Sequence, residues 1–207
     1  MTDLERKVRE LLKAGELDDA LKLVLGKLGA EILGFVCGVL GDDAGPDVYS
    51  GFSERLWKSF EGFEWRCALR TWVYMLARQE ISRFHRGERR HVAGRVSLSE
   101  VKSMLAAYRK TQSILAERRD ELTRLRDELP VEDRMLLILR LDRELSFNEI
   151  ALALAENPDE LRDLDKKRES ARLRKRYELV TKTLIKRVRA GASDLDEPDD
   201  VGIRTPT

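Results

Sequence analysis

The chain is short of the residues on which most enzymatic and extracellular chemistry depends. Its 207 residues hold two cysteines, two histidines and five prolines, and aromatics make up 6%. Cys37 and Cys67 stand alone, without CxxC spacing, so neither a disulfide framework nor a zinc ribbon is expected, and a reducing cytoplasm fits. His85 and His91 both fall inside a basic run, and with Cys67 they match no usual metal spacing. GxxxxGK[ST], HExxH and GxSxG are all missing. No enzyme activity, metal or cofactor is therefore expected. The longest apolar run, Ile32–Leu40, is nine residues and is interrupted by Gly34 and Gly38, whereas a membrane-crossing helix needs about twenty. The opening MTDLERKVRELLK is charged and amphipathic, unlike a secretory signal, and predicts a cytoplasmic protein. No stretch alternates with period two, and the prolines at 46, 130, 158, 198 and 206 each sit at a plausible break. These absences together predict an all-α fold.

Charge is what the chain has in excess. Asp, Glu, Lys and Arg supply 37% of residues, against the usual quarter. The net charge of +1 conceals strong segregation. Residues 65–95 carry +6 and 166–190 carry +9. The flanking segments 1–64, 96–165 and 191–207 carry −5, −5 and −4. Two basic islands in an acidic background point to a polyanionic partner rather than to a particular fold.

Apolar spacing predicts a first helix from a Thr2 or Asp3 cap to about Ala14 and a second over 16–27. A third is expected over 30–40, a turn over 41–46, and a helix from Asp47 through Phe60 carrying Val48, Phe52, Leu56 and Phe60. After a loop at 61–67, a long helix runs to about Arg86. Residues 87–94 form a basic break. A first domain is thus expected over 1–94, a linker with its own apolar stripe over 95–129, a second domain over 130–191 and a disordered acidic tail over 192–207.

Each basic island has its own chemistry. In the second domain, Ser146 and Glu149 have the spacing of a capping box that opens a short helix with Ile150, Ala151 and Leu154 inward. A later helix places Leu173, Tyr177, Val180 and Leu184 on one seam, leaving Arg172, Arg174, Lys175 and Arg176 in front. A short capped helix followed by a basic one is the layout of a helix-turn-helix reading a major groove. A solvated basic face on an ordinary bundle helix is the plainer alternative. In the first island, Arg78, Arg83, Arg86, Arg89 and Arg90 lie on and after a helix preceded by Trp65 and Arg66. Rings interleaved with arginines suit single-stranded nucleic acid. Trp72 reads as core and Trp65 as the exposed ring.

Three stretches, taken together, resemble a bacterial RNA polymerase sigma factor of the extracytoplasmic-function (ECF) type, in the sigma-70 family. Asp47-Val48-Tyr49-Ser50-Gly51-Phe52-Ser53-Glu54-Arg55-Leu56-Trp57 is similar to the DxxQExFLRLW helix of region 2. Leu69 through Gln79, followed by Arg83-Phe84-His85-Arg86, is similar to FRTWLYRIARN…DYLRR. Leu129-Pro130-Val131-Glu132-Asp133-Arg134 through Leu145-Ser146-Phe147-Asn148-Glu149-Ile150-Ala151 is similar to LPxxxRxxxxLR…GLSxxEIA of region 4. With the final basic helix these cover about two thirds of the chain.

The resemblance implies a promoter-specificity factor with two helical domains, a region 2 bundle and a region 4 helix-turn-helix. Asp47, Ser50, Glu54 and Trp57 would meet the clamp helices of the largest subunit of core RNA polymerase. Trp65, Arg66, Arg78, Arg83, Arg86, Arg89 and Arg90 would take the −10 element of promoter DNA. Arg172, Arg174, Lys175 and Arg176 would take the −35 element. The flap of the second-largest subunit and an anti-sigma factor are further implied partners, and the free protein would be a monomer. The chain departs from the pattern at Ser50-Gly51, where the family has Gln-Glu, at Gln79 for Asn and at Arg83 for Asp. It also inserts about a dozen residues, 156–167, between the helices of region 4. The alternatives are a sigma-like adaptor that binds a regulatory protein without reading promoters, and a stand-alone helix-turn-helix repressor, which would usually be a dimer.

Overall fold

The computed structural model describes residues 1–87, 124–156 and 163–194. The described residues are all-α, with no strand among them. In chain order the helices are α1 (Asp3–Lys13), α2 (Leu17–Ser59), α3 (Leu69–His85), α4 (Val131–Leu137), α5 (Phe147–Leu154) and α6 (Asp163–Asp194). A π-helical turn, Ile138–Asp142, extends α4. Residues 95–123 of the predicted linker and the residues Arg89 and Arg90 lie outside the described residues, and 124–127 are helical.

The periodic segments fold as helices, and most differences are at their ends. The segments expected over 16–27 and 30–40 are one helix, because Gly26 and Gly29 alone do not stop it. The six-residue turn expected at 41–46 shrinks to a single residue. Gly41 takes φ 79° and ψ 170°, a conformation that costs glycine little and other residues much. The chain re-enters helix at once, so α2 has two arms, 17–40 and 42–59. The arms then meet closely. A side chain at Gly45 would begin 2.5 Å from Cys37 Sγ, so glycine is what lets the second arm lie on the first. α2 is also the one helix among the described residues long and apolar enough by composition to cross a membrane. Half of that apolar window is buried inside the fold, and Gly41 breaks the helix.

At the other end of the chain, α6 begins at Asp163, within the segment expected as an insertion. Residues 163–167 of that segment are therefore the start of the basic helix. Asp163 and Asp165 lie where a helix N-terminus favours negative charge. The helix continues to Asp194, past the boundary expected for the tail.

α1 is held by a capping box between Thr2 and Glu5. Glu5 has a second role. The backbone N–H of Leu69 donates to its carboxylate at 3.0 Å, which gives α3 the N-terminal acceptor that Ala68 cannot supply. One carboxylate thus anchors two helix starts 64 residues apart.

The apolar core is shared between the two halves. Phe35, Phe52, Trp72 and Ile81 of the N-terminal half belong to one buried cluster with Leu136, Ile138, Ile150 and Leu173. α5 packs on α3, and α4 touches α2. A smaller cluster joins Leu129 and Leu137 to Val180 and Leu184 of α6.

Two outcomes test this packing. Gly45→Ala lowers stability by about 1–3 kcal/mol through overpacking, whereas Gly26→Ala, which meets open space, leaves it unchanged or raises it. Thermal melts of the two variants make the comparison. Glu5 provides the second. Burial raises its pKa, but hydrogen bonds from the backbone of Thr2 and Leu69 outweigh that and hold it below its ordinary 4.5. A depressed carboxylate pKa contributes stability above the unfolded value, and that stability disappears as pH falls through the folded one. Wild-type Tm therefore drops on acidification below about pH 4.5, and Glu5→Gln has a lower Tm at pH 7 with a flatter acid limb.

Candidate nucleic-acid interface

The helix-turn-helix candidate is built as its residues require. The Ser146 hydroxyl accepts from the Glu149 N–H, and the Glu149 carboxylate accepts in return from the Ser146 N–H. α5 then lies across α6, with Phe147 edge-on to Tyr177 at 5.8 Å between centroids. Ile150 and Ala151 are buried in one cluster with Leu173 of α6, while Val180 and Leu184 further along α6 are buried against Leu129 and Leu137.

The four basic residues proposed for the front of α6 have different surroundings. Lys175 is exposed. Arg174 lies over the ring of Phe147, 5.4 Å from its centroid. Arg172 is paired with Glu169 one turn back, an exposed pair worth little. Arg176 points elsewhere. It grips both carboxylate oxygens of Asp133 at 2.7 Å each, and Asp133 is only 4% exposed. A bidentate pair on a buried carboxylate is a strut between α4 and α6. The Asp133 partnership raises the pKa of Arg176 above its ordinary value.

The first island is similarly mixed. Trp65, expected to be exposed, is half-buried. Its backbone takes φ 60°. The Arg9 guanidinium sits 4.2 Å from its ring centroid, and Phe63 lies 4.7 Å from the same ring. Phe63 in turn stacks on Trp72 at 4.4 Å, which is core as expected. Arg9 was not legible as a site residue, since it looks like any exposed charge on α1. Arg66 is exposed and pairs with Glu64. Arg83 and Arg55 share Glu80. Arg78 is half-buried and donates to the carbonyl of Ala155 at 3.5 Å, the C-cap of α5. Desolvation lowers its pKa below the ordinary arginine value.

One open cleft of about 1480 Å³ collects both islands. Arg78, Arg83 and Arg86 of the α3 end and Arg168, Arg172 and Arg176 of α6 line it. Glu132, Glu156, Asp165 and Glu169 line it as well. Trp65, Arg66, Arg174 and Lys175 lie away from it.

The proposed polymerase face is on the second arm of α2. Asp47, Ser50, Glu54 and Trp57 recur at intervals of three, four and three, which is one helical stripe. Asp47 is exposed. Ser50 returns its hydroxyl to the Pro46 carbonyl at 3.1 Å, and Glu54 pairs with Lys58. Trp57 is half-buried against the core. Gly51, where the family pattern has Glu, is buried.

No family model and no curated protein matches the chain. Its functional reading therefore rests on its own residues.

The division of labour on α6 is testable. Arg176→Ala strands the Asp133 carboxylate and lowers stability by about 1–2 kcal/mol, the low end of the range for a charged hydrogen bond because half of Arg176 remains in water. Lys175→Ala shifts the urea midpoint negligibly. Equal midpoints for the two variants would remove the strut assigned to Arg176.

Proposed function

We propose that this chain is a promoter-specificity factor of the ECF sigma type, which carries core RNA polymerase to particular promoters and assists their melting in the cytoplasm. The observation that carries the reading is the α5–α6 pair. A short helix with a reciprocal Ser146–Glu149 cap lies across a long helix whose apolar seam faces inward and whose Arg174 and Lys175 face outward. That arrangement suits a major groove, where arginine and lysine meet guanine edges and phosphates. The order of three sigma-like motifs along the chain supports the same reading. In it, the Asp47–Trp57 stripe docks on the clamp helices of the polymerase, and the region 4 half approaches the flap. An anti-sigma factor is the expected regulator, and no reaction is catalysed.

A second reading follows from the ion pairs. Arg83, Arg172 and Arg176 already hold carboxylates of their own chain, and Ser50-Gly51 replaces the Gln-Glu of the polymerase-binding pattern. Both suit a sigma-like adaptor that binds a regulatory protein and leaves promoters alone.

Run-off transcription with core polymerase separates the two. Promoter-dependent transcripts are expected. Arg174→Ala with Lys175→Ala reduces them at least tenfold, since each good base contact is worth about 1–3 kcal/mol, and leaves core affinity unchanged. No transcript from any candidate promoter, together with no core binding, would overturn the proposal. Core binding lost along with transcription in the double variant would show that this face of α6 is not the DNA reader.

A further inference from the structure

The loop between α2 and α3 carries a strained aromatic. Trp65 takes φ 60°, in the left-handed region, where a bulky side chain is a genuine outlier. Glycine would take that conformation without strain, so what the position keeps at a cost is the ring. The surroundings hold it there. Phe63 lies 4.7 Å from the ring centroid and is itself stacked on the core residue Trp72. The Arg9 guanidinium lies over the Trp65 ring at 4.2 Å. Strain of this kind persists where the surroundings over-determine it, and it collects at ligand clamps.

Arg9 reaches the ring because of Glu5. The two are four residues apart and share one face of α1. Glu5 accepts from the Leu69 N–H, which pins that face beside the start of α3. Trp65 lies four residues before Leu69 and so falls beside Arg9, one turn on from Glu5.

Arg9 differs from the other cations nearby in what it is joined to. Arg6 is paired with Asp3 and Glu10, and Lys7 with Asp3. Arg66 pairs with Glu64, and Arg83 with Glu80. Arg78 is half-buried and donates to the Ala155 carbonyl. Arg9 is exposed, and among the described residues it has no carboxylate partner. A ring takes the face of a guanidinium and leaves the N–H donors at its edge unused. Those donors form a fork that matches phosphate oxygens. Aromatic rings beside basic side chains are what single-stranded nucleic acid uses, with bases on the rings and phosphates on the cations.

We propose that Arg9 is a phosphate-contacting residue for unpaired DNA. The Trp65 ring holds its guanidinium in place, and the edge of the fork donates to a backbone phosphate of the strand. The assignment rests on the reading of the chain as a promoter factor. It adds a DNA contact on α1, outside both basic islands and outside all three sigma-like motifs. The strand then runs past the Trp65 loop and onto the first helix, and Trp65 acts there as a positioning residue.

The test measures binding of a short fluorescein-labelled single-stranded DNA oligonucleotide by anisotropy over a tenfold range of salt. The full chain is used alone and in complex with core polymerase. Each phosphate contact on a single strand contributes about −0.7 to the slope of log affinity against log salt. Arg9→Ala is expected to make the slope shallower by about 0.7, so its affinity relative to the parent changes about fivefold across that range. Arg9→Lys restores the charge and the slope. Lys7→Ala removes a charge already paired on the same helix and keeps the parent slope. Arg9→Gln takes the place of the alanine variant if circular dichroism shows that variant unfolded. Weaker binding by Arg9→Ala with the parent slope overturns the assignment, because Arg9 then only props the loop. A slope equally shallow in Arg9→Lys or in Lys7→Ala overturns it as well. Parent protein that binds core polymerase but takes up no oligonucleotide, alone or in the complex, overturns the Arg9 contact alone. Parent protein that binds neither overturns the promoter-factor reading with it.

Discussion

The fold depends on one guanidinium. Arg134 donates to the carbonyls of Arg126, Asp127 and Leu129 at the end of one helical segment, and to Val39 at the end of the first arm of α2. Helix C-termini leave their last carbonyls without intrahelical partners and carry partial negative charge. Gly41 interrupts the helix two residues after Val39, and Arg134 donates to the Val39 carbonyl from 95 residues away. A planar fork with five donors satisfies two helix ends at once, and lysine would not do so. The residue belongs to the LPxxxR stretch that gives the chain its sigma-like appearance. Here its observed work is to fasten α4 to α2, which puts Ile138 on Gly38 and so α5 on α3.

From that seam follows the distribution of charge. The arginines of the two islands fall into grades of availability. Lys175 and Arg174 face outward. Arg172 is held by an exposed pair, which contributes about 0–1 kcal/mol and exchanges easily, while Arg83 pairs with the largely buried Glu80. Arg176 is committed, because leaving Asp133 means leaving a buried carboxylate alone. Composition treats these as equivalent positive charges. The fold ranks them by how much burial their carboxylate partners have undergone.

That ranking explains which parts of the molecule were legible in the sequence. Helix content, the Ser146–Glu149 cap, the buried Trp72 and the α6 seam all follow from local spacing, and local spacing was enough. The merged helices of α2 and the early start of α6 differ from expectation because glycine and proline were read as breaks in runs that packing keeps helical. Gly41 breaks the helix because, among the glycines of α2, it alone takes positive φ. The remaining surprises are all long-range. Glu5 capping α3, Arg9 covering Trp65 and Arg176 bracing Asp133 each join residues more than 40 positions apart. No periodicity encodes them. The shared core has the same origin, since each half carries a plausible apolar stripe of its own and nothing in either stripe names the other.

The net charge of +1 takes on a structural meaning at this point. In the folded chain, acidic segments are brought against basic ones in a single cleft, so near-neutrality is local as well as global. A polyanion approaching that cleft does not meet bare arginines. It must displace Glu80, Glu169 or the end of α5, and what it gains is the difference between two sets of partners. Phosphates on a duplex come as a regular array whose bound counterions are released on contact, whereas the carboxylates of the cleft are separate partners, half-exposed at Glu169 and buried at Asp133. The charge of the cleft is thus set by pairing within the chain, and a count of its basic residues overstates what it offers to an anion.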